Sequence, residues 1–127
     1  MCSASEPALP ARRILVVEDE SLIGMTLSDL LDEAGFVVTG LVSSHEAALT
    51  HLDRDKPDAV VLDLTLRDGF CAGFAQELLA RGVPFLIFSG HPPESLPLPA
   101  SANVPWIEKP GREGQIVAML QRITGAP

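Results

Sequence analysis

The chain has 127 residues, enough to bury the core of one domain but too few for a catalytic domain plus a regulatory one. Nine Lys and Arg against seventeen Asp and Glu give a formal net charge of -8, and no basic run or basic helical face interrupts the acidity, which argues against direct binding to nucleic acid or an anionic membrane surface. Cys2 and Cys71 form neither a disulfide framework nor a metal knuckle, MCSASEPALPARR lacks the apolar stretch of a signal peptide, and no apolar run reaches the roughly 18–20 residues that span a bilayer, so the expected compartment is cytoplasmic.

Residues 1–11 read as a flexible N-terminal arm and residues 12–127 as a single domain. RILVV (13–17) is a short branched apolar run, a strand, and SLIGMTLSDLLDEAG after it places Ile23, Leu27, Leu30, Leu31 and Ala34 on one helical face, with Gly35 to close the end. FVVTGLV (36–42) is a second strand; SSHEAALTHLD then opens with a capping-box pattern from Ser43 to Glu46 and carries Ala48 and Leu52 four apart. In that helix His45 and His51 are six apart, off any ligand spacing on one face, and are expected to be solvated. DAVVLDL (58–64) is followed by a Gly-containing loop and by FAQELLARG, in which Phe74 and Leu78 pair and Gly82 stops the helix. VPFLIF (83–88) and VPWI (104–107) are the fourth and fifth strands, and Ile116, Met119, Leu120 and Ile123 mark a last amphipathic helix.

Between strands four and five the pattern breaks. HPPESLPLPA (91–100) holds four prolines. An interior proline costs a helix about 3 kcal/mol or more, and Pro97 and Pro99 push their neighbours towards extended backbone. At most Pro92-Pro93-Glu94-Ser95 starts one turn, with Pro92 or Pro93 near its first position. Short apolar strands alternating with helices argue for an α/β fold, a doubly wound five-stranded parallel sheet of order 2-1-3-4-5, here with helix 4 short or absent.

In such sheets chemistry sits at the carboxyl ends of the strands, beside the switch point between strands one and three. Those ends carry Glu18-Asp19-Glu20, Asp63, Ser89 and Glu108-Lys109-Pro110. Two like charges ~4 Å apart cost roughly 4 kcal/mol at an effective dielectric near 20, so clustered Glu18, Asp19 and Asp63 call for a compensating cation. Mg²⁺ suits an all-oxygen set of carboxylates and water that leaves room for phosphate oxygens, and Lys109 adds a fixed positive charge. Carboxylates, a metal, a lysine and a hydroxyl together describe a phosphoryl-transfer site with a carboxylate nucleophile.

VVEDE, then VVLD about 45 positions later, a Ser after strand four and Lys-Pro after strand five resemble the receiver domain of two-component response regulators, with its CheY-like (flavodoxin-like) fold, over roughly residues 12 to 124. The resemblance implies that Asp63 is the phosphoacceptor and that Glu18, Asp19, Asp63 and the backbone carbonyl of Thr65 bind Mg²⁺. It further implies that Ser89 and Lys109 bind phosphoryl oxygens, that small Gly90 leaves the group access, and that Trp106 stands at the switch aromatic, compatible with an ordinary core role. His91 is either a loop residue or overhangs the pocket and tunes hydrolysis, while Glu20 either shapes the metal site through water or favours the positive start of the first helix.

The implied partners are a histidine kinase or a histidine phosphotransfer protein and a downstream protein contact, with a monomer or weak homodimer as the assembly. No output domain follows in this chain, so it reads as a freestanding regulator or a phosphate shuttle, or as a piece cut from a larger protein. Ile87-Phe88-Ser89-Gly90 with the Pro-rich segment also resembles the single-domain FAT GUY group, matching its glycine and, conservatively, its hydroxyl. Two other readings are a haloacid-dehalogenase-like phosphatase, whose motif order is the reverse of this one, and a receiver fold that is not phosphorylated.

Overall fold

A computed structural model describes residues 11–66, 69–70, 72–99, 102–110 and 113–125. The expected arm over residues 1–11 lies, apart from Ala11, outside them. In chain order the elements are β1 (Arg13–Val17), α1 (Ser21–Glu33), β2 (Val37–Val42), α2 (His45–Arg54), β3 (Ala59–Leu62), β4 (Thr65–Leu66), β5 (Gly69–Phe70), α3 (Ala72–Arg81), β6 (Phe85–Ser89), β7 (Trp106–Glu108) and α4 (Glu113–Thr124). The main sheet is parallel and ordered β2-β1-β3-β6-β7, the expected 2-1-3-4-5 arrangement.

Alternation along the central strands divides the core. Leu15, Val17, Val60, Leu62, Phe85 and Ile87 face one layer with Ala48 and Leu52 of α2 and Phe74, Ala75 and Leu78 of α3. Ile14, Val16, Ala59, Val61, Leu86 and Phe88 face the other, with Leu27 and Leu31 of α1 and Ile116 and Leu120 of α4. Both faces of β1, β3 and β6 are thus covered, which is why these strands read as unbroken apolar runs.

α1 ends where Gly35 takes φ +91, a left-handed backbone that favours glycine, and the Gly35 N–H donates to the Asp32 carbonyl at 3.1 Å. Its buried face is narrower than the periodicity suggests: Leu27 and Leu31 are buried, whereas Leu30 is half-buried and Ala34, the residue that ends the helix, is exposed. β2 is an edge strand with a register shift opposite Ile14 and Leu15, so Val37 and Leu41 remain exposed despite the apolar run. The cap of α2 is Ser44 and not Ser43. Ser44 has extended backbone and its Oγ accepts from the Ala47 N–H at 3.0 Å, and Glu46 in the first turn suits the positive helix end.

Two further features lie at the site end of the sheet, the first not foreseen from the sequence and the second as expected. The Gly-containing loop after β3 holds a short antiparallel pair, Thr65 opposite Phe70 and Leu66 opposite Gly69. Between β6 and β7 the described residues include a 3-10 turn, Pro93–Ser95, with Pro93 at its first position. Among the other described residues of this segment the buried one is Leu96, 5% exposed in the layer shared with α3, beside half-buried Leu98, Val104 and Trp106.

Removing a buried leucine costs about 2–5 kcal/mol, so Leu96→Ala should lower the urea midpoint clearly, while Leu22→Ala, at a position 81% exposed, should stay within about 0.5 kcal/mol of the parent. Equal midpoints for the two variants would show that Leu96 does not anchor the segment.

Candidate functional site

Parallel pairing assembles the site. Val17 pairs with Leu62, and the Asp63 N–H donates to the Val17 carbonyl at 2.9 Å, which brings Asp63 beside Glu18 and Asp19. Ser89 pairs with Glu108, and the Lys109 N–H donates to the Ser89 carbonyl at 2.9 Å, which sets Lys109 over the same end of the sheet. The Lys109–Pro110 peptide is cis.

One carboxylate oxygen from each of Glu18, Asp19 and Asp63 lies within 4.8 Å of the others. Lys109 Nζ lies 2.8 Å from Glu18 Oε1 and 2.9 Å from Asp63 Oδ2, and 5.4 Å from the centre of the Phe88 ring beneath it. Three clustered carboxylates, two of them paired with one ammonium, leave two negative charges in a pocket where Glu18 and Asp63 are buried. Burial pushes the Glu18 carboxyl above its ordinary 4.5 despite hydrogen bonds from Lys109 and from the Glu20 N–H. Burial alone would lower the Lys109 amine, but its hydrogen bonds to Glu18 and Asp63 outweigh that and hold it above 10.5. An all-oxygen donor set with two uncompensated charges fits a hard divalent cation.

The remaining residues form a chain of contacts across the top of this pocket. Thr65 donates its N–H to Asp63 Oδ1 at 3.2 Å, and its Oγ1 lies 2.6 Å from His91 Nε2. The His91 ring meets Phe70 edge-on, with centroids 5.5 Å apart. Ser89, fully buried, accepts the His91 N–H on its hydroxyl at 3.1 Å, and the Trp106 indole donates to the His91 carbonyl at 2.9 Å. His91 therefore ties together the residue two past Asp63, the hydroxyl at the end of β6 and the aromatic of β7. Trp106 is half-buried, in contact with one core layer as well as with this loop. Space above Gly90 is open. Glu20 is exposed and precedes α1; its contribution within the site is its N–H, given to Glu18 Oε2 at 3.1 Å.

The two histidines of α2 are not solvated, contrary to their spacing. His51 is half-buried, with Nε2 3.3 Å from Thr39 Oγ1, and packs so closely over Gly40 that a Cβ there would fall 2.8 Å from its ring. His45 is buried, and its Nε2 lies 3.3 Å from the backbone carbonyl of Asp63. A usable signal existed: α2 starts at the carboxyl end of the sheet, so a side chain in its first turn is close to the residues that follow β3.

Comparison with known proteins agrees with this geometry. The model of the response regulator receiver domain matches residues 14–121, and the chain belongs to that family. It is thus a CheY-like receiver domain of two-component signalling, a family of phosphoacceptor signalling domains that use Mg²⁺ at an acidic pocket. Over 81 residues it is 35% identical to the transcriptional regulatory protein PdtaR of Mycobacterium tuberculosis, covering 62% of this chain and 38% of that one, so the chain spans well under half of that relative. SdrG from Sphingomonas melonis Fr1 superposes with a TM-score of 0.73 at 31% identity, over 89% of this chain and 96% of the other. The CheY-like receiver domain from Methylobacillus flagellatus gives 0.75 at 28%, over 90% and 99%. Membership of this family replaces the haloacid-dehalogenase-like reading. No helix among the described residues is long and apolar enough to cross a membrane.

Because the Lys109 amine is held above its ordinary value, its charge contributes stability that is complete below pH 10.5 and lost as pH rises through the folded value. Without divalent cations, Lys109→Met should cost about 3 kcal/mol at neutral pH, since it leaves buried carboxylates unpaired, and should flatten the alkaline loss of stability. Parallel urea-midpoint profiles for parent and variant above pH 10.5 would contradict this.

Proposed function

We propose that the protein receives a phosphoryl group on Asp63 from a phosphohistidine of a kinase or phosphotransfer protein, and that the acyl phosphate alters a protein-binding face around Trp106. The observation that carries this reading is the Lys109 ammonium between Glu18 and Asp63, in a pocket still two charges short of neutrality.

In the transfer, an Asp63 carboxylate oxygen attacks phosphorus, the bond to the imidazole nitrogen breaks, and the imidazole leaves with the electron pair. Lys109 releases part of its hold on the carboxylate and neutralises phosphoryl oxygens. Glu18, Asp19, Asp63 and the Thr65 carbonyl would hold Mg²⁺, which would supply charge neutralisation for the transferring group. Ser89 turns its hydroxyl from the His91 N–H to a phosphoryl oxygen. Attack of water on the same phosphorus returns Asp63 to its carboxylate.

The output follows from the same contacts. The phosphoryl group adds about -1.5 to -2 charge at neutral pH and three acceptor oxygens. Recruitment of Ser89 frees the His91 peptide, and the Trp106 indole depends on that residue's carbonyl. Trp106 borders two shallow cavities of about 230 and 480 Å³, shared with the Pro-rich segment and with Gln115 of α4. A partner reads this face, where a fourth helix would otherwise stand. In this reading His91 also governs access of water to the phosphoryl group.

Incubation with Mg²⁺ and acetyl phosphate should add one phosphoryl group by intact mass, abolished in Asp63→Asn and strongly reduced by a chelator, with a change in Trp106 emission. Undiminished modification of Asp63→Asn would remove Asp63 as the acceptor. An unchanged emission from the modified protein would remove only the switch role of Trp106.

A further inference from the structure

His45 is the buried polar side chain of the site that the transfer described above does not use. It occupies the first position of α2, directly after the capping Ser44, so its place is set by the start of the helix. It is 5% exposed, and its ring lies against Phe74 of α3, with centroids 6.2 Å apart and planes inclined by 37°. Nε2 lies 3.3 Å from the Asp63 carbonyl oxygen. A carbonyl only accepts, so Nε2 carries the proton and donates it.

This contact completes the hold on the Asp63 main chain. β3 ends at Leu62, so the Asp63 carbonyl lies beyond the strand. The Asp63 N–H is tied to β1 through the Val17 carbonyl at 2.9 Å, and the carbonyl is tied to α2 through His45. A buried carbonyl deprived of its donor costs about 1–3 kcal/mol, which the chain relieves by turning the peptide towards another donor or water. Such a turn moves two groups at once: the Asp63 carboxylate, and the Leu64-Thr65 main chain from which Thr65 donates to Asp63 Oδ1.

We infer that His45 is a positioning residue for phosphoryl transfer: its Nε2–H fixes the peptide plane after Asp63 and thereby aims the acceptor carboxylate and the Thr65 backbone together. The inference rests on Asp63 being the phosphoacceptor. A misplacement of about 1 Å at a reacting group can cost on the order of 10²-fold in rate, and loss of an outer partner of a metal ligand about 10–100-fold.

The test compares the full chain carrying His45→Gln, which keeps an N–H donor, with His45→Leu, which keeps bulk without one. Circular dichroism reports folding, calorimetric titration gives the Mg²⁺ affinity, and intact mass gives the initial rate of modification by acetyl phosphate at saturating Mg²⁺, with Asp63→Asn as control. His45→Leu should be folded and about tenfold or more slower, and His45→Gln should stay within about threefold of the parent. A His45→Leu rate within about twofold of the parent would overturn the inference, and so would His45→Gln as slow as His45→Leu, because the donor would then not be the cause. If His45→Leu does not fold, His45→Ala takes its place under the same limits. A parent protein that takes no phosphoryl group at Asp63 would overturn the functional reading and this inference with it. A parent that is modified at Asp63 while His45→Leu remains fast would overturn the positioning role alone.

Discussion

The ammonium of Lys109 sits between two buried carboxylates, Glu18 at 2.8 Å and Asp63 at 2.9 Å, and the pocket depends on it. Without that charge, β1 and β3 would deliver like charges side by side into a region screened from water, and repulsion would compete with the pairing of Val17 with Leu62. With it, the strands close and the carboxylates stay converged, yet the pocket remains anionic because Asp19 joins the cluster. The residual charge gives the site its chemistry. A hard divalent cation fits that residual charge, so the repulsion among the carboxylates of the resting fold and the fit of the pocket for such an ion have one origin.

The second constraint is the segment that replaces a helix. With prolines at 92, 93, 97 and 99, the chain between β6 and β7 cannot make a run of helical hydrogen bonds, and among its described residues the one buried side chain, Leu96, holds it down. Its connection to the pocket runs through His91, which contacts Thr65 by its ring, Ser89 by its N–H and Trp106 by its carbonyl. A segment with few buried contacts and one hydrogen-bonded junction is easier to displace than a packed helix. The link between this segment and the pocket therefore rests on a residue adjoining the pocket and not on a packed helix.

Much of this was legible in the residues alone. Strand order followed from five apolar runs separated by helical patterns, and the site from polar residues at four strand ends, because parallel strands expose their chemistry at one edge. The missing helix was legible because proline acts on its own neighbours. What escaped were features set by tertiary contact. The cap of α2 falls on Ser44, where the backbone is still extended, a choice between adjacent serines that the serine-to-glutamate spacing does not decide. β2 kept exposed apolar side chains because it is an edge strand. His45 looked solvated because helical spacing says nothing of the loop after β3 against which the helix begins. The β4–β5 pair has two residues a side, too short for alternation to register.

A crystal structure of the protein with Mg²⁺ and beryllium fluoride, a mimic of the phosphoryl group, would show whether the anionic pocket takes both a cation and a phosphoryl group at Asp63. The adduct is expected on an Asp63 carboxylate oxygen, the metal on Glu18, Asp19, Asp63 and the Thr65 carbonyl, Lys109 and the Ser89 hydroxyl on fluorine atoms, and the bond from the His91 N–H to Ser89 broken. A metal bound elsewhere, or an adduct that leaves Lys109 paired with both Glu18 and Asp63, would contradict this.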